Sequence, residues 1–309
     1  MIYFLTVNYY STNLVTKLIN SIQASKNISH QIVIINNSPS DYSIHALKTQ
    51  SVVILEAEIN LGFARACNLG LSWIYAQAPQ AVVWLVNPDA YLVENALDKV
   101  TPFFEAHPQL SIVGTIVYTP TGQVWFAGGC FIPKTGAILA QDFLSNSGTA
   151  YKSCDWVSGC SLLINLRNFR DCPQFDPAYF LYYEDFDFCK RYANQGHLIG
   201  VTKQLSVIHQ PSAITNRNMF AKIKYSTYSY LLTQEKYTNN FFLLLRLSKL
   251  ISYALILIFF KPKVAFGKLY GVLLYLRHRC PRPTANKMGA KKKFVKMCKA
   301  LLPRVGRSR

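Results

Sequence analysis

Acidic, amide and imidazole side chains recur in this chain where apolar runs stop. "WLVNPDA" (84–90) leads three apolar residues straight into Asn87, Pro88 and Asp89. "QIVIIN" ends in Asn36, with Asn37 and Asp41 beyond it, "YYED" sets Glu184 beside Asp185, and "VIH" ends in His209. A carboxylate at a strand end can hold a hard cation or accept a proton, and a neutral imidazole can do either. Each group also has a plain structural reading. Asn87-Pro88-Asp89 would make a turn and cap the next helix, Asn36-Asn37-Ser38-Pro39 is turn chemistry, and His209 would be a satisfied edge histidine. Asp187 and Arg191, four residues apart, read as an ion pair on one helix face. Function requires elements that bring the four places together.

Those elements are written in the periodicity. "IYFLTV", "QIVIIN", "SVVILE" and "AVVWLV" are short, β-branched runs of the kind covered on both faces. Helical spacing separates them near 12–26, 42–50, 63–78 and 93–106. Four alternations of strand and helix predict a parallel sheet of βαβ units, whose ligands lie in the crevice outside the strand ends. From 111 to 164 the turn signals "TPTG", "AGG" and "PKTG" predict short hairpin strands. A helix is expected from about Glu184 to Gly196, then two short strands over 198–208 that end at His209. Beyond 215 the pattern is helical only.

Charge divides the chain unevenly. The net charge is +18, yet residues 1–240 carry 16 Lys/Arg against 15 Asp/Glu, whereas 241–309 carry 17 Lys/Arg and no acid. A nearly neutral domain is followed by a cationic tail. The eight cysteines include no C-x-x-C pair, and Cys67, Cys160 and Cys189 lie in apolar or helical patterns, which suits reduced thiols that pack as small hydrophobes. "MIYFLTVNYYS" opens directly as a strand with no basic n-region, so no secretory signal is read and a cytoplasmic orientation is expected.

In order and spacing, "VNYYS", "INNSPSD", "NLGFARACNLG", "LVNPDA", "WVSGCSLLI", "FDPAYFLYYEDFDFCKR" and "VIHQPSA" resemble the inverting glycosyltransferases of family 2, most of all the bacterial rhamnosyltransferase-like branch. The resemblance covers about residues 1–215. It implies an α/β GT-A (Rossmann-like) catalytic domain over 1–214, with a nucleotide-sugar half (1–110) and an acceptor half (111–214). It also implies a nucleoside-diphosphate sugar donor and Mn²⁺ or Mg²⁺. Asp89 matches the second acid of the family's D-x-D and is the implied metal ligand, with Asn87 in the first position; His209 matches a late histidine assigned to metal or diphosphate. Asp185 is the implied general base and Glu184 its neighbour in the E-D pair. Thr6, Asn8, Asn36, Asn60, Gly62, Arg65, Asn68 and Trp156 carry over to donor binding or sugar stacking. Asn36 departs from the pattern, standing where the family places an Asp that accepts the N3–H of uracil or thymine. Its amide oxygen can still accept, without the added strength of a charged partner.

The region 215–309 is expected to be a helical, basic, membrane-associating extension. "FFLLLRLSKLISYALILIFFKPK" is interrupted by Arg246 and Lys249, leaving eleven uncharged residues before Lys261. That is short of the ~20 needed to span, so an interfacial helix is read, on an anionic surface that would also attract "KKKFVKMCKALLPRVGRSR". Its apolar content favours lipid over nucleic acid. The resulting expectation is a peripheral enzyme on the cytoplasmic face that moves a sugar, dTDP-rhamnose or a UDP-sugar being the donor, to a surface glycan such as O-antigen or capsule, or to a lipid-linked acceptor. A sugar-nucleotide-binding protein without turnover is the alternative, and the joint presence of Asp89, Asp185 and His209 weighs against it.

Overall fold

A computed structural model describes residues 1–25, 28–144, 148–211 and 214–279. The four apolar runs form β1 (Ile2–Asn8), β2 (His30–Asn36), β3 (Val52–Glu56) and β4 (Val82–Val86). They are parallel, in the order β3-β2-β1-β4. Helix α1 (Thr12–Gln23) joins β1 to β2, and α2 (Phe63–Gln77) returns the chain from β3 to the other side of β1. The winding therefore reverses between β1 and β4, which opens a crevice beyond Asn8 and Asn87. Gly70 of α2 lies so close to β1 that an added Cβ would sit 2.2 Å from Leu5. The helix expected near 42–50 is only a 3₁₀ turn, Ser43–Leu47, and that near 93–106 shortens to α3 (Val100–Ala106) after a 3₁₀ turn.

The second half extends the same sheet. The three-residue β5 (Ala90–Leu92) follows Asp89, and β6 (Leu110–Tyr118) is a long interior strand rather than one of a set of short hairpins. Hairpins do follow, with β7 (Val124–Phe126) on β6 and β8 (Gly129–Ile132) paired to β9 (Ala137–Ala140). Strands β10 (Tyr151–Ser153), β11 (Ser161–Asn165) and β12 (Leu198–His209) complete the order β10-β12-β6-β11-β4. The two short strands expected over 198–208 are one strand of 12 residues, whose pairing with β6 shifts register between Leu198 and Ile199 and again between Thr202 and Ser206. Buried Trp84 donates its indole N–H to Ser161 Oγ at 2.9 Å, and Thr115 donates to the same oxygen. This polar chain pins β4, β11 and β6 to one another, since an orphaned partner would cost about 1–3 kcal/mol.

Helix α4 (Glu184–Ala193) follows a long loop. Three helices then close the described chain, namely α5 (Met219–Tyr237), α6 (Asn240–Phe260) and α7 (Pro262–Arg279). Helix α5 ties them to the rest of the fold. Fully buried Asp187 on α4 accepts from Arg191 at 2.8 Å, as its spacing predicts, and also from Lys236 at 2.8 Å and the Tyr237 hydroxyl at 2.9 Å on α5. Ser229 donates to the Leu181 carbonyl, and Gln234 to that of Gly136. Helix α7 packs on α5, and α6 covers α7 from outside.

Candidate functional site

The turn Asn87-Pro88-Asp89 caps no helix. The Asn87 N–H donates to the Cys160 carbonyl at 2.9 Å, Ala90 N–H closes the turn onto the Asn87 carbonyl, and the chain runs directly into β5. Strand β5 pairs antiparallel with the end of β12 in a register that sets Ala90 against His209, and Gln210 N–H donates to the Asp89 carbonyl at 3.0 Å. Two residues 120 apart in sequence thereby meet, with His209 Nε2 3.1 Å from Asp89 Oδ1. Asp89 is 8% exposed and His209 4%. The Trp125 ring lies edge-on to the imidazole at 4.9 Å.

This pair fits one divalent cation. Adjacent ligands of an octahedral ion with bonds of about 2.1 Å lie about 3 Å apart, and such ions are held by one or two protein groups plus substrate phosphates. A nitrogen in the set suits Mn²⁺ better than Mg²⁺. Among the described residues no cluster of three or more His, Cys, Asp or Glu offers a closed protein cage, so the remaining positions would belong to substrate and water. His209 Nδ1 is buried without a hydrogen-bond partner.

Two cavities meet at Asp89. The first, about 520 Å³, is bounded by Asp89, His209, Glu184, Asp185, Trp125 and Trp156. The second, about 510 Å³, lies over the ends of β1 and β4, with Tyr9, Tyr10, Asn37, Asn60 and Gly62 on its sheet side. Asn87, Asp89, Phe63, Leu181 and Thr215 line both. A cation at Asp89 would therefore sit at the mouth between them.

Glu184 and Asp185 are aimed into the first cavity by a strained turn. Tyr182 and Tyr183 both adopt left-handed backbone, with φ of 70° and 64°, immediately before α4 begins. Two successive non-glycine residues there cost of order 1–3 kcal/mol each, a strain typical of functional sites. Asp185 accepts from the Gly159 N–H at 2.8 Å and from Phe186 N–H at 2.8 Å. Gly159 serves this contact, with Asp185 Cβ only 3.3 Å from where a Cβ would be. Burial raises the Asp185 carboxyl above the usual carboxylate range, against the lowering effect of those N–H donors. Glu184 is pushed up well beyond that range, first by burial and then by the Asp185 charge. Cys160 senses both halves of the site, its thiol raised by burial and then by the charges of Asp89 and Asp185.

Five residues expected to touch a donor line neither cavity, and the amides of three of them are committed elsewhere in the protein. Asn36 Oδ1 accepts from Asn8 Nδ2 at 3.2 Å, while Asn36 Nδ2 donates to Glu56 and to the Asp41 carbonyl, both at 2.9 Å. Asn8 Oδ1 accepts from the backbone and hydroxyl of Ser11. The Asn68 amide clamps both backbone groups of Phe175, at 2.7 and 2.8 Å, and Arg65 Nε donates to the Pro177 carbonyl. Thr6 is buried within β1 and lines neither cavity. Asn37 and Asn60 do reach the cavity, linked Nδ2 to Oδ1 at 3.0 Å. Trp156 belongs to the cavity of Asp185, half-buried against Phe126, and not to the donor side.

Gly62 lines the second cavity, and its missing side chain is needed for packing. Its φ is +76°, and an added Cβ would lie 2.4 Å from the Phe180 carbonyl oxygen, which accepts the first N–H of α2 at 2.7 Å. That N–H is therefore spent on protein and not left for phosphate. Gly62→Ala is expected to lose about 2–5 kcal/mol of stability, from left-handed strain and overpacking together, measured by urea denaturation. An unchanged midpoint would show that the loop yields freely.

Residues of α5 and the turn before it complete the second cavity: Arg217, Lys222, Lys224 and Tyr225. They lie beyond the residues that carry the family resemblance, although "TNRNMFAKIK" holds three cations and no acid.

Comparison with known proteins agrees with this architecture. Residues 4–145 match the family model "Glycosyl transferase family 2". The N-acetylglucosaminyl-diphospho-decaprenol L-rhamnosyltransferase of Mycobacterium tuberculosis is 25% identical over 194 residues, an alignment covering 54% of this chain and 62% of that protein. The chain thus spans less than two thirds of the length of the curated relatives it matches. Among solved structures, GalNAc-T7 with UDP, GalNAc and Mn²⁺ superposes with a TM-score of 0.53 at 12% identity, covering 76% of this chain and 47% of that one. The mannosyltransferase PcManGT from Pyrobaculum calidifontis, in complex with GDP-Man and Mn²⁺, gives 0.50 at 10% identity, covering 90% and 87%. The shared feature is the GT-A fold.

Proposed function

From a chain that carries a family 2 glycosyltransferase domain in a GT-A fold, we propose a metal-dependent inverting glycosyltransferase. It takes a sugar from a nucleoside-diphosphate donor in the cavity above β1 and β4 and transfers it to an acceptor hydroxyl in the cavity of Asp185. The observation that carries this reading is the junction of the two cavities at Asp89, with a carboxylate of raised basicity across the first of them. Asp185 removes the acceptor proton as the hydroxyl oxygen attacks the anomeric carbon, and the C–O bond to the diphosphate breaks on the opposite face. Asp89 and His209 would hold the divalent ion, which when bound offsets charge on the departing phosphates. Burial and the Asp185 charge both disfavour the ionised form of Glu184, which leaves Asp185 as the assigned base.

Rhamnose is the sugar suggested by the Mycobacterium relative, which by its name acts on a diphosphate-linked lipid; a dTDP- or UDP-linked donor and a lipid-linked or surface glycan acceptor follow from the same likeness. Incubating the purified protein with a panel of nucleotide sugars, a lipid acceptor and Mn²⁺ should release nucleoside diphosphate from one donor, and EDTA should stop it. Donor binding without release across the panel would support the binding-protein alternative instead.

A cytoplasmic, membrane-surface location belongs to the same proposal. Helix α6 runs unbroken through Arg246 and Lys249, so its 21 residues are long and apolar enough by length and composition to cross a membrane. Three facts favour lying on the surface. Its partner α7 carries Lys263, Lys268, Arg277 and Arg279; α7 is packed on α5; and Arg246 is tied to the Tyr230 hydroxyl and the Thr135 carbonyl of the β8–β9 turn. The outward face of α6 presents Leu244, Ile256, Phe259 and Phe260, with Phe259 85% exposed. The basic stretch beyond 279 lies outside the described residues.

Deleting everything after residue 240 would now also bare the face of α5 that α7 covers, including Tyr228, so substitution is the cleaner test. The double change Ile256→Glu, Phe259→Glu should abolish co-sedimentation with anionic liposomes while leaving nucleotide binding intact. Wild-type binding should weaken but persist as salt shortens the Debye length from about 10 Å at 0.1 M to about 3 Å at 1 M, since apolar burial is not screened. Equal pelleting of variant and wild type would remove α6 as the anchor.

A further inference from the structure

We propose that Lys224 and Arg217, with Lys222 extending the same wall, form the cationic grip on the donor's diphosphate, delivered by α5; this rests on the donor-cavity reading above. The second cavity is electrically two-sided. Among the described residues lining it, Asp89 is the one acid, on the sheet side, and all three cations stand on the helical side. Lys224 Nζ lies 4.1 Å from the Tyr225 ring centroid, 5.7 Å from Tyr270 and 6.0 Å from Phe220. The Tyr225 ring stacks on Phe180 at 4.1 Å, beside the Gly62 turn. Aromatic faces hold a cation in place without cancelling its charge. Arg217 is likewise positioned by a neutral group, donating Nη1 to the Tyr10 carbonyl at 2.7 Å. Neither pairs with a carboxylate among the described residues. A lysine and an arginine held by neutral partners at a cavity wall have their charge available for an anion.

The reaction supplies that anion. When the sugar's C1–O bond breaks, the electron pair stays with the β-phosphate oxygen, the acceptor oxygen bonds to C1, and its proton passes to Asp185. A diphosphate lying between Asp89 and α5 would carry that growing charge within reach of the cations on α5. A preorganised cation there acts more strongly on the transition state than on the bound donor.

The test measures affinity against phosphate number by titration calorimetry, using uridine, UMP and UDP and the thymidine series, with wild type, Lys224→Met, Arg217→Met and Lys224→Arg. Methionine keeps the aliphatic contact with the rings and removes the charge. Each Met variant should bind nucleoside as wild type does and lose at least about tenfold for the diphosphate, the scale of one charge-assisted hydrogen bond, while Lys224→Arg retains most of it. Equal losses for nucleoside and diphosphate would mean a packing role and overturn the assignment, as would unchanged diphosphate affinity. A wild-type protein that binds the nucleosides and their diphosphates equally weakly would instead overturn the donor-cavity reading together with it.

Discussion

Asp89→Ala is expected to reduce transfer by roughly 10³ or more and to abolish Mn²⁺ binding in the presence of nucleoside diphosphate, with the fold retained. The magnitude follows from the several kcal/mol that a bound cation supplies to developing charge, at about 1.4 kcal/mol per factor of ten. Asp89 is nearly buried, and the described residues provide no third acidic, thiol or imidazole group to take its place beside His209. Electron paramagnetic resonance of free Mn²⁺ measures binding independently of turnover, so loss of activity with Mn²⁺ binding intact would move the ion elsewhere. Full activity in EDTA would dismiss the metal altogether. The fold should survive because the Asp89 carbonyl, which accepts from Gln210, is backbone and unaffected.

For Asp185→Asn the expected result is donor affinity near wild type with transfer lowered by 10²–10⁴, the range for losing a general base. Asparagine keeps an oxygen for the Gly159 N–H, so position is retained and basicity is not. The pH profile carries the sharper signature. Because burial raises the Asp185 carboxyl, transfer should rise with pH through an apparent value above that of an ordinary aspartate, and that limb should vanish in Asp185→Asn. Glu184→Gln should behave differently, because Gln imitates the protonated form that burial and the Asp185 charge favour. A raised folded-state value means that Glu184 contributes its stability at low pH and loses it as pH rises through that value. The Gln variant should therefore equal wild type at low pH, exceed it in thermal stability near neutrality, and keep most of its transfer activity. If Glu184→Gln loses 10² or more while Asp185→Asn does not, Glu184 is the base.

Legibility of the site varied with how local each determinant is. The i, i+4 pair of Asp187 and Arg191 was readable from spacing, but its ties to Lys236 and Tyr237 were not. Asn8, Asn36 and Asn68 were recognisable as polar residues at element ends. That their amides are consumed by one another, by Glu56 and by the Phe175 backbone depends on strands and loops separated by up to 107 residues. The 12-residue β12 read as two strands because its second register shift falls at "KQL", where the alternation lapses while the chain stays extended.

By itself the sequence determined the four parallel strands and the placement of acids at their ends, because a buried strand must be apolar and its exit must turn, and both are properties of a few adjacent residues. It also determined the charge asymmetry, a nearly neutral stretch to 240 followed by a wholly basic one. Only the tertiary structure decided that Asp89 serves no helix cap but meets His209, since that contact depends on the register of β5 on β12. It alone decided that α5 belongs to the cavity. The cations at 217, 222 and 224 sit near the site because Asp187, Leu181 and Gly136 anchor α5 from three other elements. Side-chain chemistry is carried by single residues, whereas the distance between two of them is fixed by every packing contact along the path that joins them.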